Sequence, residues 1–297
     1  IRFQRQLCII DIFQSMSKLM IIPEKPCYIA GAAALPLSAS EPDYKPVITD
    51  ANLRRRMGRL LKMSVYCGLQ ALGDVVSEEV AGIVTFTGMG FMKDTVSFGN
   101  SIYDRDEELL NPSPFMQSTF NTASGYIALI RKIRSYNTTY VQHASGFMAS
   151  FADAVMLLDE HPGQHVLVGG FDEITPEVDV LRRRLGLYRA DNGDFMPLGE
   201  GAGALLLSSA GSSARILGMA PAFCPVDEFV SACAGHGTVY DTVRCSSLVS
   251  EYGAFGSMLP VIIADRISAH DSGSMTLYVD DVNPDGVMAL ISNDIAM

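Results

Sequence analysis

The sequence predicts an α/β protein built on buried sheets, and three observations carry that expectation. Short β-rich runs alternate with helical stretches on both sides of a Ser/Gly segment, Ser208 to Ser213. Several strand candidates, such as Val166 to Val168 and Ala204 to Leu207, are continuously apolar rather than alternating, as in strands covered on both faces. The 297 residues are 48% apolar, enough for a substantial core in two domains or one large unit.

Taken in order, Pro36 to Asp50 reads as a loop rich in Pro, Ser and Asp. Asp50 can cap a following helix, Leu53 to Leu72, whose Leu60, Leu61, Val65 and Leu69 share one face. Ala81 to Thr87 is a central-strand candidate closed by Gly88 and Gly90. Pro112 and Pro114 bracket a loop before a helix from Thr122 to Ile133. A strand near Thr138 to Val141 then enters the small-residue turn Gln142-His143-Ala144-Ser145-Gly146, followed by a helix over Phe147 to Leu158. Strand Val166 to Val168 runs into Gly169-Gly170, and a further loop leads to Gly199-Glu200-Gly201-Ala202-Gly203 and strand Ala204 to Leu207. Beyond the linker come strand Ala214 to Met219, an apolar segment near Phe229, a helix over Phe255 to Ile267, and strands Thr276 to Val279 and Val287 to Ile291. Asn283-Pro284-Asp285-Gly286 makes the turn between the last two.

Composition narrows the function classes. A formal charge of −11 disfavours nonspecific nucleic-acid binding, which needs a cationic surface. No apolar run approaches the roughly 18 residues that span a bilayer. Cys8, Cys27, Cys67, Cys224, Cys233 and Cys245 are scattered without CxxC spacing or a His cluster, which points to reduced thiols rather than a disulfide frame or zinc site, and to a cytoplasmic setting. No cofactor or metal is expected. Ile1 to Ser15 carries Arg2, Arg5 and a short apolar segment interrupted by Asp11; residues 1–20 are expected to be an extension, with a signal peptide the alternative.

Four motifs occur in a telling order. They are Ser113-Pro114-Phe115 with Ser118-Thr119 and Asn121; the Val141 to Gly146 turn with its helix and Gly169-Gly170; Pro197-Leu198-Gly199-Glu200-Gly201-Ala202-Gly203; and His236-Gly237-Thr238, followed by the Glu251 to Met258 helix entry. In this order the chain resembles the β-ketoacyl synthases of the thiolase-like fold, from about Tyr28 to the end and most strongly through Leu207. The resemblance implies a layered αβαβα architecture of two pseudo-symmetric halves, 21–208 and a shortened 209–297. In that family a cysteine at the start of a helix, its thiolate favoured by the helix dipole, accepts an acyl group. Two histidines stabilise the charge that develops during condensation.

Here the cysteine is missing. The alignment places His143 at its position, or Gln142 if the gap shifts by one, and neither forms a durable thioester. His236 corresponds to the first family histidine. The second would fall near Ser250, and Cys245 to Tyr252 contains neither lysine nor histidine. For His143 and Gln142 the plainer alternatives are a hydrogen-bonded core histidine and a buried amide; for His236, a turn histidine between glycines. A histidine at a helix amino terminus is expected to stay neutral.

An acyl-handling scaffold without its nucleophile resembles the chain-length factors of type II polyketide synthesis and small ketosynthase-like proteins of aryl-polyene pathways. The resemblance implies a non-catalytic subunit that pairs with itself or with an active ketosynthase and works on acyl carrier protein. Phe115, Met116, Phe120 and Phe147 are candidates for the acyl pocket or dimer lining, against the plainer reading of ordinary core. Arg54, Arg55, Arg56, Arg59 and Lys62 are candidates for docking the acidic carrier protein, against the plainer reading of a solvated helix face; Arg182, Arg183 and Arg184 stand the same way. The rival readings are an acyltransferase or decarboxylase with an altered site, and a scaffold that binds an acyl chain or carrier protein.

Overall fold

A computed structural model describes residues 19–105, 107–190, 192–211, 214–267 and 274–293. Residues 1–18 of the expected extension, and part of the Ser/Gly linker, lie outside them. Among the described residues nine strands form one sheet: β1 (Cys27–Pro36), β2 (Val80–Thr87), β3 (Tyr136–Val141), β4 (His165–Asp172), β5 (Gly201–Ser208), β6 (Arg215–Pro221), β7 (Asp241–Arg244), β8 (Met275–Val279) and β9 (Val287–Ser292). The helices are α1 (Ala51–Arg56), α2 (Arg59–Leu72), α3 (Met92–Asp104), α4 (Pro112–Ser118), α5 (Thr122–Arg131), α6 (Gly146–Glu160), α7 (Pro176–Leu185), α8 (Val226–Ala234), α9 (Val249–Tyr252) and α10 (Met258–Arg266).

The sheet order β3-β2-β4-β5-β1-β6-β9-β8-β7 contains an internal repeat. In the first half β1 pairs antiparallel with β5, β5 antiparallel with β4, and β4 parallel with β2. In the second, β6 pairs antiparallel with β9, β9 antiparallel with β8, and β8 parallel with β7. The halves meet where β1 and β6 share just two paired positions, Cys27↔Ile216 and Tyr28↔Arg215. The second half has no counterpart of β3 among the described residues.

Alternation along each strand sorts side chains into layers. Leu205 and Leu207 of β5 join Tyr278 of β8 and Val287, Ala289 and Ile291 of β9 in one central core with α6 and α10. Their neighbours Ala204 and Leu206 face outward to α2 and α5, while Leu277, Val279, Met288 and Leu290 face α8. The result is five layers: α2 and α5, the first-half strands, the central pair α6 and α10, the second-half strands, and α8. Helix α10 is buried from Met258 to Ala264 because sheet covers it on both sides. Glycine makes that approach close: a Cβ on Gly203 would lie 2.7 Å from Val261 Cα.

Several elements depart from the sequence expectation for identifiable reasons. The single helix expected over Leu53 to Leu72 is two, interrupted at Met57 and Gly58, both extended, where Gly58 N–H donates to Gln117 Oε1 at 2.9 Å. Asp50 caps the first of them, its side chain accepting from Asn52 and Leu53 N–H. The prolines at 112 and 114 do not bracket a loop: Asn111 caps α4 and Pro112 occupies its first turn. Helices α3 and α7 stand where no element and a loop, respectively, were expected. Strands β1 and β7 and helix α8 complete the set.

Candidate functional site

The turn after β3 is a short 3-10 segment, His143 to Ser145, that feeds directly into α6. His143 has φ +50°, a left-handed conformation unusual for a residue with a Cβ. That backbone directs the imidazole off the end of the strand into a slot between Gly88 and Gly256. A Cβ on either glycine would sit 3.2 Å from the ring's Cδ2, so a larger residue there would crowd it.

Three groups hold the ring. Nδ1 lies 2.8 Å from Asp285 Oδ1, Nε2 lies 2.8 Å from the Tyr188 hydroxyl, and the Tyr188 ring stacks on the imidazole with centroids 5.9 Å apart. Asp285 comes from the turn between β8 and β9, so the two halves of the chain meet here. Its other oxygen accepts the Ser145 N–H at 3.0 Å, one of the free donors that open α6. Asp172, at the end of β4, accepts from Thr87 Oγ1 and from Gly88 and Met89 N–H through Oδ1, and from Ser257 N–H through Oδ2. This ties the β2 loop, β4 and the entry to α10 together behind the ring.

Electrostatics follow from that packing. Burial pulls the His143 pKa down, but the hydrogen bond and charge of Asp285, with the charges of Asp172 and Asp280, outweigh it and the net shift is upward. The carboxylates thus shift His143 toward its protonated form, opposite in direction to the effect expected of a helix amino terminus. For Asp285, burial works upward, yet its bonds to His143 and Ser145 bring it below its ordinary value. Burial also pushes the Tyr188 phenol upward, reinforced by the charges of Asp172, Asp280 and Asp285. Asp280 has no exposed surface, and desolvation raises it to about 6 against the hydrogen bonds of Val282 and Asn283.

The space beside His143 is small. The cavity lined by Gly88, His143, Asp172, Tyr188, Phe255 and Gly256 holds about 10 Å³, room for a single water molecule. The cysteines described lie elsewhere and are free, and burial raises their thiols; Cys27 and Cys233 are pushed up to about 12. Among the described residues no cluster of three or more His, Cys, Asp or Glu could hold a metal ion, and no helix is long and apolar enough to cross a membrane.

The remaining sequence candidates scatter around this centre. Gln142 is exposed and its carbonyl accepts the Ser145 hydroxyl. His236 sits in an exposed turn after α8 and does not line the His143 cavity. Phe147 is buried and stacks on Phe86, with centroids 5.8 Å apart. Phe115, Met116 and Phe120 are instead exposed, with Phe115 tilted against Phe98 and Phe120 close over Gly90. Arg54 reaches the Ile48 and Thr49 carbonyls, and Arg55 reaches the Asn52 side chain. Arg59 is ion-paired to Glu41 and Glu200, while Arg54, Arg55, Arg56 and Lys62 have no ion pair among the described residues. Arg182 is buried, bonding Asp179 and the Met196 carbonyl. Asp285, Tyr188 and Asp172 were not among the sequence candidates.

Comparison with known proteins sets this geometry in context. No curated protein matches the chain in sequence. Solved structures match its fold closely. The ishigamide ketosynthase/chain length factor superposes with a TM-score of 0.70 at 17% identity, covering 91% of this chain and 99% of that one. A β-ketoacyl synthase from Burkholderia phymatum STM815 gives 0.67 at 12% identity, covering 91% and 100%. The ketosynthase ApeO in complex with its chain length factor ApeC, from Xenorhabdus doucetiae, gives 0.55 at 15%, covering 90% and 99%. These likenesses establish the thiolase-like ketosynthase fold, with the two pseudo-symmetric halves seen in the sheet. The family described as "Beta-ketoacyl synthase, N-terminal domain" matches residues 32–180, a segment that contains the His143 turn, the β2 to β4 strands and helix α6. The chain belongs to the β-ketoacyl synthase family.

Proposed function

We propose that this protein is a non-catalytic, chain-length-factor-like subunit of carrier-protein-bound fatty acid, polyketide or aryl-polyene synthesis. The observation that carries the reading is the state of the nucleophile position. At the amino end of α6, where the family's chemistry needs a thiolate, stands an imidazole clamped by Asp285 and Tyr188. The cavity beside it accommodates one water rather than an acyl chain. No described cysteine lines that cavity. An active condensing site needs an accessible nucleophile and a second group to stabilise developing charge; His236, the family-equivalent candidate, sits in an exposed turn outside the cavity lining.

Pairing with another ketosynthase-fold chain follows from the exposed edge. β3 pairs on one side with β2 and ends the sheet, with Tyr136 and Val141 exposed. Its neighbour α5 and the adjoining α4 present Leu129, Phe115, Met116 and Phe120. Exposed apolar side chains gathered on β3 and around the neighbouring α4 and α5 fit a protein interface. Residues 21–208 and 209–297 act as the two halves, the second shortened. Arg55, Arg56 and Lys62, on α1 and α2, are the cations left to meet an acidic acyl carrier protein.

Co-expression with an active ketosynthase from the same genome tests this reading. A stable complex on size-exclusion chromatography, together with a product length that changes when this chain is omitted, is expected. A chain that elutes alone and leaves product length unchanged would overturn it.

A further inference from the structure

The carboxylate of Asp285 does more than hold His143. Through Oδ2 it takes the Ser145 N–H at the opening of α6, where the helix presents free donors and its positive dipole end. Through Oδ1 it takes the side chain of residue 143. One carboxylate thus occupies both features that make a helix amino terminus a good place for an anionic nucleophile.

The turn that carries Asp285 is itself rigidly set. Asp280 Oδ1 accepts from Val282 and Asn283 N–H at 3.2 and 3.1 Å, and its Oδ2 accepts from Asn283 Nδ2 at 2.7 Å. Asn283 Nδ2 also donates to the Phe255 carbonyl at 3.1 Å, fastening the turn to the entry of α10. At Gly286 even a Cβ would collide with the Asp280 carbonyl.

We propose that Asp285 is a positioning residue that forms a second, independent lock on the nucleophile position, keeping residue 143 inert whichever side chain stands there. The proposal rests on the non-catalytic reading above and adds that the missing cysteine is not its sole cause. A cysteine placed at 143 would gain from the helix dipole. It would also face carboxylates from three directions: Asp285 from the β8–β9 turn, Asp280 at the end of β8, and Asp172 at the end of β4, with Glu173 lining the same cavity. The Tyr188 hydroxyl approaches from the loop after α7, and the charge of Arg182 acts on Tyr188. Like charge at such range disfavours a thiolate.

The test compares H143C with H143C/D285N by iodoacetamide alkylation as a function of pH, with the modified peptide identified by mass spectrometry. In the reaction the thiolate sulfur displaces iodide from the methylene carbon, and the thiol proton goes to solvent. In H143C the site is expected to react slowly at neutral pH. In the double variant the alkylation midpoint should fall by about one pH unit or more, with a rate at pH 7.5 about tenfold higher. Equal midpoints and rates in the two proteins would overturn the proposal. If either variant loses the wild-type circular dichroism spectrum, D285N alone decides. The His143 titration followed by NMR should then move to lower pH, and an unmoved titration is equally fatal. Turnover by the wild-type protein would sink the non-catalytic reading instead, without bearing on these comparisons.

Discussion

The His143 imidazole titrates within reach of three carboxylates, and two raised pKa values in this site give the fold a pH dependence of definite sign. His143 rises above its ordinary 6.5, so its contribution is fully present below that value and is lost as pH climbs through the folded-state pKa. Asp280 rises from 3.8 to about 6, so burying it costs nothing below 3.8, progressively more between those values, and its full penalty above 6. Asp285, shifted downward, stabilises above the ordinary carboxylate range and loses that effect on acidification. The melting temperature is therefore expected to be higher at pH 6 than at pH 8.5, and D285N should flatten most of the His143 share. A melting temperature that rises from pH 6 to 8.5 would contradict the placement of these groups. His143 was legible at this scale because it falls inside an ordered set of family motifs. Asp285 was legible as a turn residue, but nothing in a single sequence links it to a ring 142 residues away. Tyr188 has the same difficulty: its φ of +58° and its hydrogen bond are set by tertiary contacts.

At the scale of elements, the buried parts of the chain announced themselves and the shallow parts did not. Strands β2, β4 and β5 are buried at nearly every position, so each reads as a continuous apolar run. Helix α3 buries none of its residues, and strand β7 is four residues long and largely exposed; neither contributes a continuous apolar run. Strand β1 is hidden for a different reason. It is rich in alanine and glycine, and Gly31 lies so close to the Ala71 carbonyl that a Cβ could not fit. Helix α7 did carry readable signals: Thr175 caps it, Pro176 opens it, Glu177 and Asp179 fill the first turn and three arginines the last. Two substitutions probe this level. Asp50→Ala removes the cap that serves Asn52 and Leu53 and should lower the urea midpoint of unfolding modestly. Gly203→Ala drives a methyl into the α10 backbone at Val261 and should cost about 1–3 kcal/mol. Loss of stability from Asp50→Ala alone, with Gly203→Ala neutral, would mean that β5 and α10 are not in contact.

Across the whole molecule, the repeated strand order explains why chemistry is gathered where it is. Each half contributes one central helix and one set of strand ends, and the His143 turn of the first half faces the β8–β9 turn of the second. The repeat was implied by the family resemblance, but its physical form, two halves of one sheet joined through two residue pairs of β1 and β6, depended on long-range pairing. The exposed edge β3 gives a prediction at this scale: Val141→Arg should weaken association with a partner ketosynthase on size-exclusion chromatography while leaving the melting temperature nearly unchanged. An undiminished complex would place the interface elsewhere.

The most direct test of the account is incubation of the purified protein with acyl- and malonyl-loaded carrier protein, read by mass spectrometry for covalent acylation and for release of carbon dioxide. The expected result is neither, with or without His143. Robust acylation or decarboxylation that disappears in H143A would contradict it.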